Sequence, residues 1–311
     1  MGASLPVLDY HKPETIKHFA NIPRVEPTVI DHSSLKLFKD CQQRYFFRVV
    51  LGYKKKDTSV VLGWGSTLHK FWEILEKTYQ VTSNAEGSFK TAVLSALEYW
   101  DKEVKPDPVG TKWDFMERGR LIFTMKACYD YFLAEKKAGK IKVIEIERSF
   151  CITLPSGMIT SGRMDQIISW SGRLWVRDWK TTSKNAYMYT GSLEPNDQLT
   201  RYTYALTKLS NQAVQGSMIV AMYNTKNEGP VLRDHHTTRN AYQLNHWEAE
   251  QAAWVEMLQR ARDNDSYPMN ENICGWCDYK KICETPSEGG KISQLRSLYK
   301  FDPWNPLHHE D

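Results

Sequence analysis

Long apolar runs are missing from this 311-residue chain. Nothing approaches the roughly 20 consecutive apolar residues that cross a bilayer, and the N-terminus lacks the basic-then-apolar pattern of a secretion signal. Pro6 stands where a myristoylation signal wants Ser or Thr, so a lipid anchor has no basis either. A cytoplasmic protein with no membrane partner is expected. Internal repeats, low-complexity tracts and a GxxxxGK[ST] phosphate loop are also lacking, which argues against a solenoid and against a built-in ATP motor. Cysteine is scarce: 6 residues are too few for a disulfide scaffold in a chain this long, and clustered ones in a reducing compartment point to metal. Charge of one sign is not in great excess. The 41 Lys and Arg against 37 Asp and Glu leave +4, so any nucleic-acid partner has to be sought in local clustering.

What remains is a globular composition, 41% hydrophobic and 25% charged with 17 Gly and 13 Pro, which disfavours collagen-like, coiled-coil and disordered chains. Pro6, Pro13, Pro23 and Pro27 mark residues 1–32 as an extended lead-in. Apolar residues then recur at helical spacing at Leu35, Phe38, Tyr45 and Phe46, and again at Leu68, Phe71, Trp72 and Leu75; further helices are expected at about 88–104 and 114–137. From Ile141 the pattern alternates, with strands continuing at 158–169 and 173–180, a helix at 198–209 capped by Asp197, a strand at 215–223 and a helix at 240–262. Pro286, Gly289, Gly290, Pro303 and Pro306 read as a loosely structured tail over 285–311. The expected class is α/β: one compact unit over 33–284, a mixed central sheet flanked by helices, a helical N-terminal section, a helical subdomain at about 80–140 and a Cys-stapled C-terminus.

The sharpest local signal lies between Gly162 and Lys180. A two-residue hairpin turn at Ser171-Gly172 sets Asp165 directly opposite Asp178, with Cβ atoms about 5 Å apart. Two carboxylates so placed repel unless a cation lies between them. Lys180 points to the same face as Asp178 and Trp179 to the other. A divalent cation with an ammonium beside it suits phosphodiester hydrolysis: Mg²⁺ or Mn²⁺ on Asp165 and Asp178 polarises the phosphate, the Trp179 carbonyl is a further ligand, and Lys180 positions the attacking water. A surface hairpin with two solvated aspartates and a chance lysine has the same local pattern. Glu147 on the preceding strand is a weaker candidate carboxylate, equally readable as a solvated strand residue.

These residues belong to a longer series: Gly65-Ser-Thr-Leu-His69, then Asp165, then Asp178-Trp-Lys180, then Gln198-Leu-Thr-Arg-Tyr202. The series resembles, in order and type, the GxxxH helix, strand Asp, (D/E)xK strand and QxxxY helix of the PD-(D/E)xK nucleases, RecB-type branch. The resemblance implies a restriction-endonuclease-like core and metal-dependent DNA cleavage, with His69 as a further metal ligand and Gln198 and Tyr202 lining the site against Lys180 or DNA. Apart from it, His69 on an amphipathic helix is more often a structural histidine. Gln198 and Tyr202 share a helix face at a spacing that arises by chance in most proteins.

Cys274, Cys277 and Cys283 form C-x2-C-x5-C, a spacing that brings three thiolates to one site. With Cys41 as the fourth, the set resembles the iron–sulfur nucleases of the same branch, including the AddB nuclease domain and the CRISPR-adaptation nucleases. That implies a [4Fe–4S] cluster, although fourfold thiolate ligation equally suits structural Zn²⁺. Its role would be a staple between residues near 41 and residues near 280. Cys128 and Cys151 lack partners at ligand spacing and are expected as core thiols. Residues 35–56 hold Lys36, Lys39, Arg44, Arg48, Lys54, Lys55 and Lys56 against the single acid Asp40, interleaved with aromatics, so Arg44 and Arg48 are candidate DNA contacts.

The expected activity is a Mg²⁺- or Mn²⁺-dependent DNA exonuclease acting on single strands or duplex ends, in recombination, repair or phage DNA processing, with helicase or recombination partners. Two other readings share the residues: a CRISPR-adaptation nuclease that trims DNA before integration, and a non-catalytic DNA-binding scaffold.

Overall fold

A computed structural model describes residues 19, 22–25, 28–56, 59–104, 116–182, 189–224 and 229–307. In chain order it holds β1 (Val29–Asp31), α1 (His32–Asp40), α2 (Gln42–Tyr45), a π-helical turn (Phe46–Val50), β2 (Tyr53–Lys55), α3 (Val60–Thr82), α4 (Ala85–Glu103), α5 (Arg118–Ala138), β3 (Ile141–Thr153), β4 (Ile159–Trp170), β5 (Arg173–Thr182) and α6 (Asp197–Leu209). There follow β6 (Val214–Tyr223), β7 (Val231–Thr238), α7 (Ala241–Asp263), a 3-10 turn (Glu271–Trp276), α8 (Lys280–Glu284), α9 (Glu288–Leu298) and β8 (Tyr299–Phe301). The chain divides into two compact units, not the one expected. The first comprises Met1–Thr28, Ser33–Lys55 and Gln251–Asn305; the second comprises Val29–His32, Lys56–Glu250 and Pro306–Asp311.

The second unit is built on a six-stranded mixed sheet. Its hairpin has the expected turn: Ser171 and Gly172 take φ 52° and 74°, the left-handed pair that a two-residue turn uses to match strand twist. The register runs from Trp170 opposite Arg173 to Gln166 opposite Arg177. β4 keeps β3 antiparallel along one side. On its other side it changes partner, pairing parallel with β1 at 159–161 and antiparallel with β5 only from Gln166 onward. Residues 162–165 fall between the two pairings, so the sheet opens there. β5 continues parallel to β6, and β6 antiparallel to β7.

Alternation on β5 loads its two faces differently. Trp179 joins Val220 and Met222 of β6 in a core with Trp64, Leu68, Phe71, Trp72 and Leu75 of α3, Ala92 and Trp100 of α4, and Leu121 and Phe132 of α5. The Trp72 and Trp179 rings stack at 3.6 Å and 12°. The helices α4 and α5, in the range expected as a helical subdomain, thus pack as a layer on the sheet. α3 starts where Ser59 Oγ accepts the Leu62 N–H and ends on left-handed Ser83, and α5 ends on left-handed Gly139. On the opposite face Val176 packs with Phe150, Met164 and the Tyr202, Ala205 and Leu206 side chains of α6.

In the first unit, rings pile up from Phe46 on Tyr267 to Phe47, Tyr279 and Tyr299 in sequence. Arg24 makes a two-pronged ion pair with Asp265 at 2.6 and 2.8 Å. The described part of 285–311 is not the loose tail expected. Ser287 Oγ caps α9 by accepting the Gly290 N–H at 3.2 Å, so both glycines fall in the first turn, where they break little, and β8 pairs antiparallel with β2. Nor is 1–32 wholly a lead-in, since Val29–Asp31 is the sheet strand β1; residues 1–18 lie outside the described residues. Cys128 is buried as expected, but Cys151 is exposed on β3. Among the described residues no helix is long and apolar enough to cross a membrane.

Candidate active site

The opening in β4 is where the predicted residues meet. Pairing stops one step short of Asp165 and Asp178, and the Asp165 carboxylate takes the Trp179 N–H at 2.8 Å in place of a strand partner. From α3, His69 Nδ1 comes to 3.2 Å from Asp165 Oδ2. Lys180 Nζ lies 3.1 and 3.0 Å from the two oxygens of Asp178, which is 1% exposed. From α6, Gln198 Nε2 donates to Tyr202 Oη at 3.0 Å.

Of two glycines beside these elements, packing requires one. A Cβ on Gly162 would stand 2.7 Å from the Phe150 ring and 3.3 Å from Tyr202, so only glycine lets the Phe150 ring of β3 lie where it does, with Tyr202 of α6 packed close behind it. At Gly65 a Cβ would meet only Thr181 Oγ1 of β5, at 3.5 Å.

The charges hold one another in place. Burial favours neutral Asp165, yet His69, Lys180 and the Trp179 N–H outweigh it and keep its carboxyl below the usual range. Burial also favours neutral His69, and Asp165 overturns that, holding the imidazole above its ordinary value. Asp178 goes the other way: burial, with Asp165 adding to it, raises its carboxyl despite Lys180. Lys180 resists burial through Asp178 and Asp165 and is raised. The Tyr202 hydroxyl is raised by burial and then by both carboxylates, which puts it within their field.

Sequence reasoning undervalued Glu147. It lies between Ile146, opposite Gln166, and Arg148, opposite Met164, so the register sets it across from Asp165, and its φ is 54°. Burial and Asp165 push its carboxyl up to about 7 against the pull of Arg163. Glu73, one turn beyond His69 on α3, also acts on it and went unread; the signal was the i, i+4 spacing from His69.

The fit of a divalent cation turns on one atom. Asp178 Oδ2 is buried and faces the Lys180 ammonium at 3.0 Å without accepting a hydrogen bond, so a hard, desolvated oxygen there suits a cation. Among the described residues no three His, Cys, Asp or Glu side chains stand as a ready-made single-ion cage; here His69 is turned onto Asp165 and Lys180 onto Asp178. A small cavity of about 10 Å³ beside the site is lined mostly by apolar side chains, Leu68, Trp72, Trp179, Val220 and Met222, with His69, Lys180 and Thr181 completing it.

The four predicted cysteines all fall in the first unit. Cys41 Sγ accepts the Asn270 N–H at 3.3 Å and Cys274 Sγ lies 3.9 Å from the Asn270 carbonyl. Burial, then Cys277, Cys41 and Cys274, push the Cys283 thiol up to about 11, which brings the other three thiols within reach of Cys283, although among the described residues no three of them form a ready-made metal site. Of the predicted DNA contacts, Arg48 is engaged within the protein. Arg44 is half-buried and acts on the Cys277 thiol, while Arg48 donates to the Asp302 carbonyl at 2.8 Å and lies over Trp304.

No curated protein matches the sequence. Among solved structures, a crystal structure of a protein from Eubacterium rectale that carries a provisional exonuclease name matches at TM-score 0.52 and 13% identity, covering 94% of this chain and 99% of that one; the likeness concerns the fold. The structure of SSO0001 matches at TM-score 0.31 and 15% identity over 80% of this chain and 94% of its own, too distant to bear on the fold. The sequence model of one family, the PD-(D/E)XK nuclease superfamily, matches residues 30–284, a span that takes in the opened strand, the D-x-K strand and the helices on both sides, and the chain belongs to that superfamily.

Proposed function

We propose that the chain is a metal-dependent deoxyribonuclease, acting exonucleolytically on single-stranded DNA or duplex ends. The observation that carries this reading is the pairing of Asp178 with Lys180 at the opening of the sheet, opposite Asp165, with Asp178 Oδ2 buried and free of hydrogen bonds. Asp165, Asp178, His69 and the Trp179 carbonyl are the residues that would hold Mg²⁺ or Mn²⁺, and the bound cation would supply positive charge to the phosphate. Lys180, kept protonated by two carboxylates, donates to the attacking water or to the developing charge on phosphate oxygen. The Gln198–Tyr202 pair presents a fixed hydroxyl toward the carboxylates and orients Lys180 or the scissile strand.

Cys41, Cys274, Cys277 and Cys283 are read as holding a structural [4Fe–4S] cluster, a reading that rests on their number and spacing in the sequence, since among the described residues no three of them stand as a ready-made metal site. Iron and sulfide analysis of anaerobically purified protein tests it, and stoichiometric zinc in their place would replace the cluster by Zn²⁺.

The decisive experiment is cleavage of end-labelled single- and double-stranded DNA with Mg²⁺ or Mn²⁺, beside Lys180→Ala. Metal-dependent products reduced at least about a hundredfold in the variant are expected. A metal-replete wild type that leaves both substrates intact would overturn the catalytic reading in favour of a scaffold.

A further inference from the structure

Two lysines face each other on the β2–β8 ribbon. The register sets Lys54 opposite Lys300, with Tyr53 opposite Phe301 and Lys55 opposite Tyr299 on the reverse face. Like charges directly across an antiparallel pair lie about 5 Å apart at Cβ and weaken the ribbon. The acid near them is Asp302, whose Oδ2 is 3.8 Å from Lys54 and 3.9 Å from the Arg48 guanidinium. No ion pair of Lys300 occurs among the described residues. On the reverse face Phe301 is 55% exposed, edge-on to Tyr53 at 5.9 Å, and Lys55 comes no nearer than 4.0 Å to Asp278.

The cysteine turn rests on the same ribbon. Tyr279 Oη donates to the Tyr53 carbonyl and Tyr299 Oη to the Asp278 carbonyl. Just before Asp278, the turn puts Trp276 into solvent, 85% exposed and without a ring partner among the described residues. Stability explains neither feature: repelling lysines cost free energy, and a large indole in water forgoes its burial. Lysines paired on a ribbon and an exposed indole on the turn that rests against that ribbon are, however, groups that a single strand of nucleic acid meets in a protein that tracks it: phosphates on lysine, bases on aromatic rings.

We infer that the β2–β8 ribbon and Trp276 form an accessory track for single-stranded DNA, in which Lys54 and Lys300 neutralise backbone phosphates and Trp276 stacks on a base. The choice of DNA as the polyanion rests on the nuclease reading; the lysine pair and the exposed indole do not. The track is separate from the predicted contacts Arg44 and Arg48.

Anisotropy of a labelled oligothymidylate, read in EDTA so that no cleavage contributes, tests it on the full chain across a salt series. At about 0.7 per phosphate contact, the double variant Lys54→Ala/Lys300→Ala loses about 1.4 from the slope of log affinity against log salt. Trp276→Ala weakens binding about tenfold with the slope kept, and Trp276→Phe recovers most of it. Because Lys300→Ala removes a repulsion, its melting temperature stays level or rises; a clear fall would make Lys300 structural and overturn the inference. So would an unchanged slope and affinity in the lysine and tryptophan variants, or displacement of the oligonucleotide by polyglutamate at equal charge concentration. The two readings fail separately. Ribbon-dependent binding by a protein that cleaves nothing sinks only the nuclease, whereas normal cleavage with ribbon-independent binding sinks only the track.

Discussion

Arg177 and Asp178 are neighbours on one strand and both are buried, at 0% and 1% exposure, yet their surroundings are opposite. Arg177 is complete. Its Nε donates to Gln166 at 2.5 Å, its two terminal nitrogens reach Glu135 and, at 3.5 Å, Glu76, and its plane lies over Trp179; Lys136 balances Glu76 at 2.9 Å. Asp178 has Lys180 alone: its Nζ stands 3.1 and 3.0 Å from the two carboxylate oxygens, and Oδ2 accepts no hydrogen bond. A buried charge whose partners are all present holds a fold together, while one that lacks a partner carries a cost that only a ligand removes. Side-chain alternation along β5 thus separates a structural face from a functional one within 2 residues of chain.

Breaking the closed face has the largest expected effect. Arg177→Met leaves Glu76 and Glu135 buried without their cation, which costs about 3–5 kcal/mol and lowers the melting temperature by roughly 10 °C. A thermal melt checks it, and a loss below about 1 kcal/mol would mean that water reaches this cluster.

On the open face the expected signs of stability and activity part. Asp178→Asn removes a desolvated carboxylate, so the metal-free protein melts at the same temperature or higher while cleavage falls at least about a hundredfold. Saturating Mg²⁺ or Mn²⁺ stabilises the wild type by about 2.7 kcal/mol at a hundred times its Kd and leaves the variant unmoved. A melt with and without metal, run beside the cleavage assay, reads both arms; a destabilised, metal-responsive Asn variant would place the cation elsewhere.

The open face was the legible one. A two-residue turn and strict alternation fix the hairpin register locally, so the meeting of Asp165, Asp178 and Lys180 could be read from residues 162–180 alone. Arg177 lies inside that segment and gave no signal, because its partners Glu76 and Glu135 are brought to it only by the packing of α3 and α5. The change of partner along β4 was invisible for the same reason: β1 is supplied from more than a hundred residues away. β7 went unread since Arg233, Asp234, His235 and His236 interrupt any apolar alternation on what is an edge strand. The division into two units was missed because the first unit is assembled from both ends of the chain.

Glu147 sharpens the contrast through pH. Its folded carboxyl lies near 7, above the ordinary 4.5, so the folded state binds the proton more tightly than the unfolded one. Its contribution is therefore full below about 4.5 and is lost as pH rises toward 7. In metal-free protein Glu147→Gln should flatten the decline in melting temperature across this window, an effect of about 1–3 kcal/mol. Equal pH profiles for the two proteins would show that Arg163, whose Nε is 2.6 Å from Oε2, already neutralises the group.

The smallest effect concerns two glycines of α3. A Cβ on Gly63 would lie 2.4 Å from Val104, so Gly63→Ala must push the start of α3 away from the end of α4 and costs about 1–3 kcal/mol. Gly65 belongs to the G-x-x-x-H series, yet its Cβ would meet Thr181 Oγ1 at an ordinary 3.5 Å. Packing on the closed face therefore tolerates alanine, and replacing a mid-helix glycine stabilises by up to about 1 kcal/mol. A melt that rises for Gly65→Ala and falls for Gly63→Ala would show that the motif glycine is not required by the helix contact. Lost cleavage in that stabilised variant would then place its requirement in the approach of substrate past Thr181 toward His69 and Lys180.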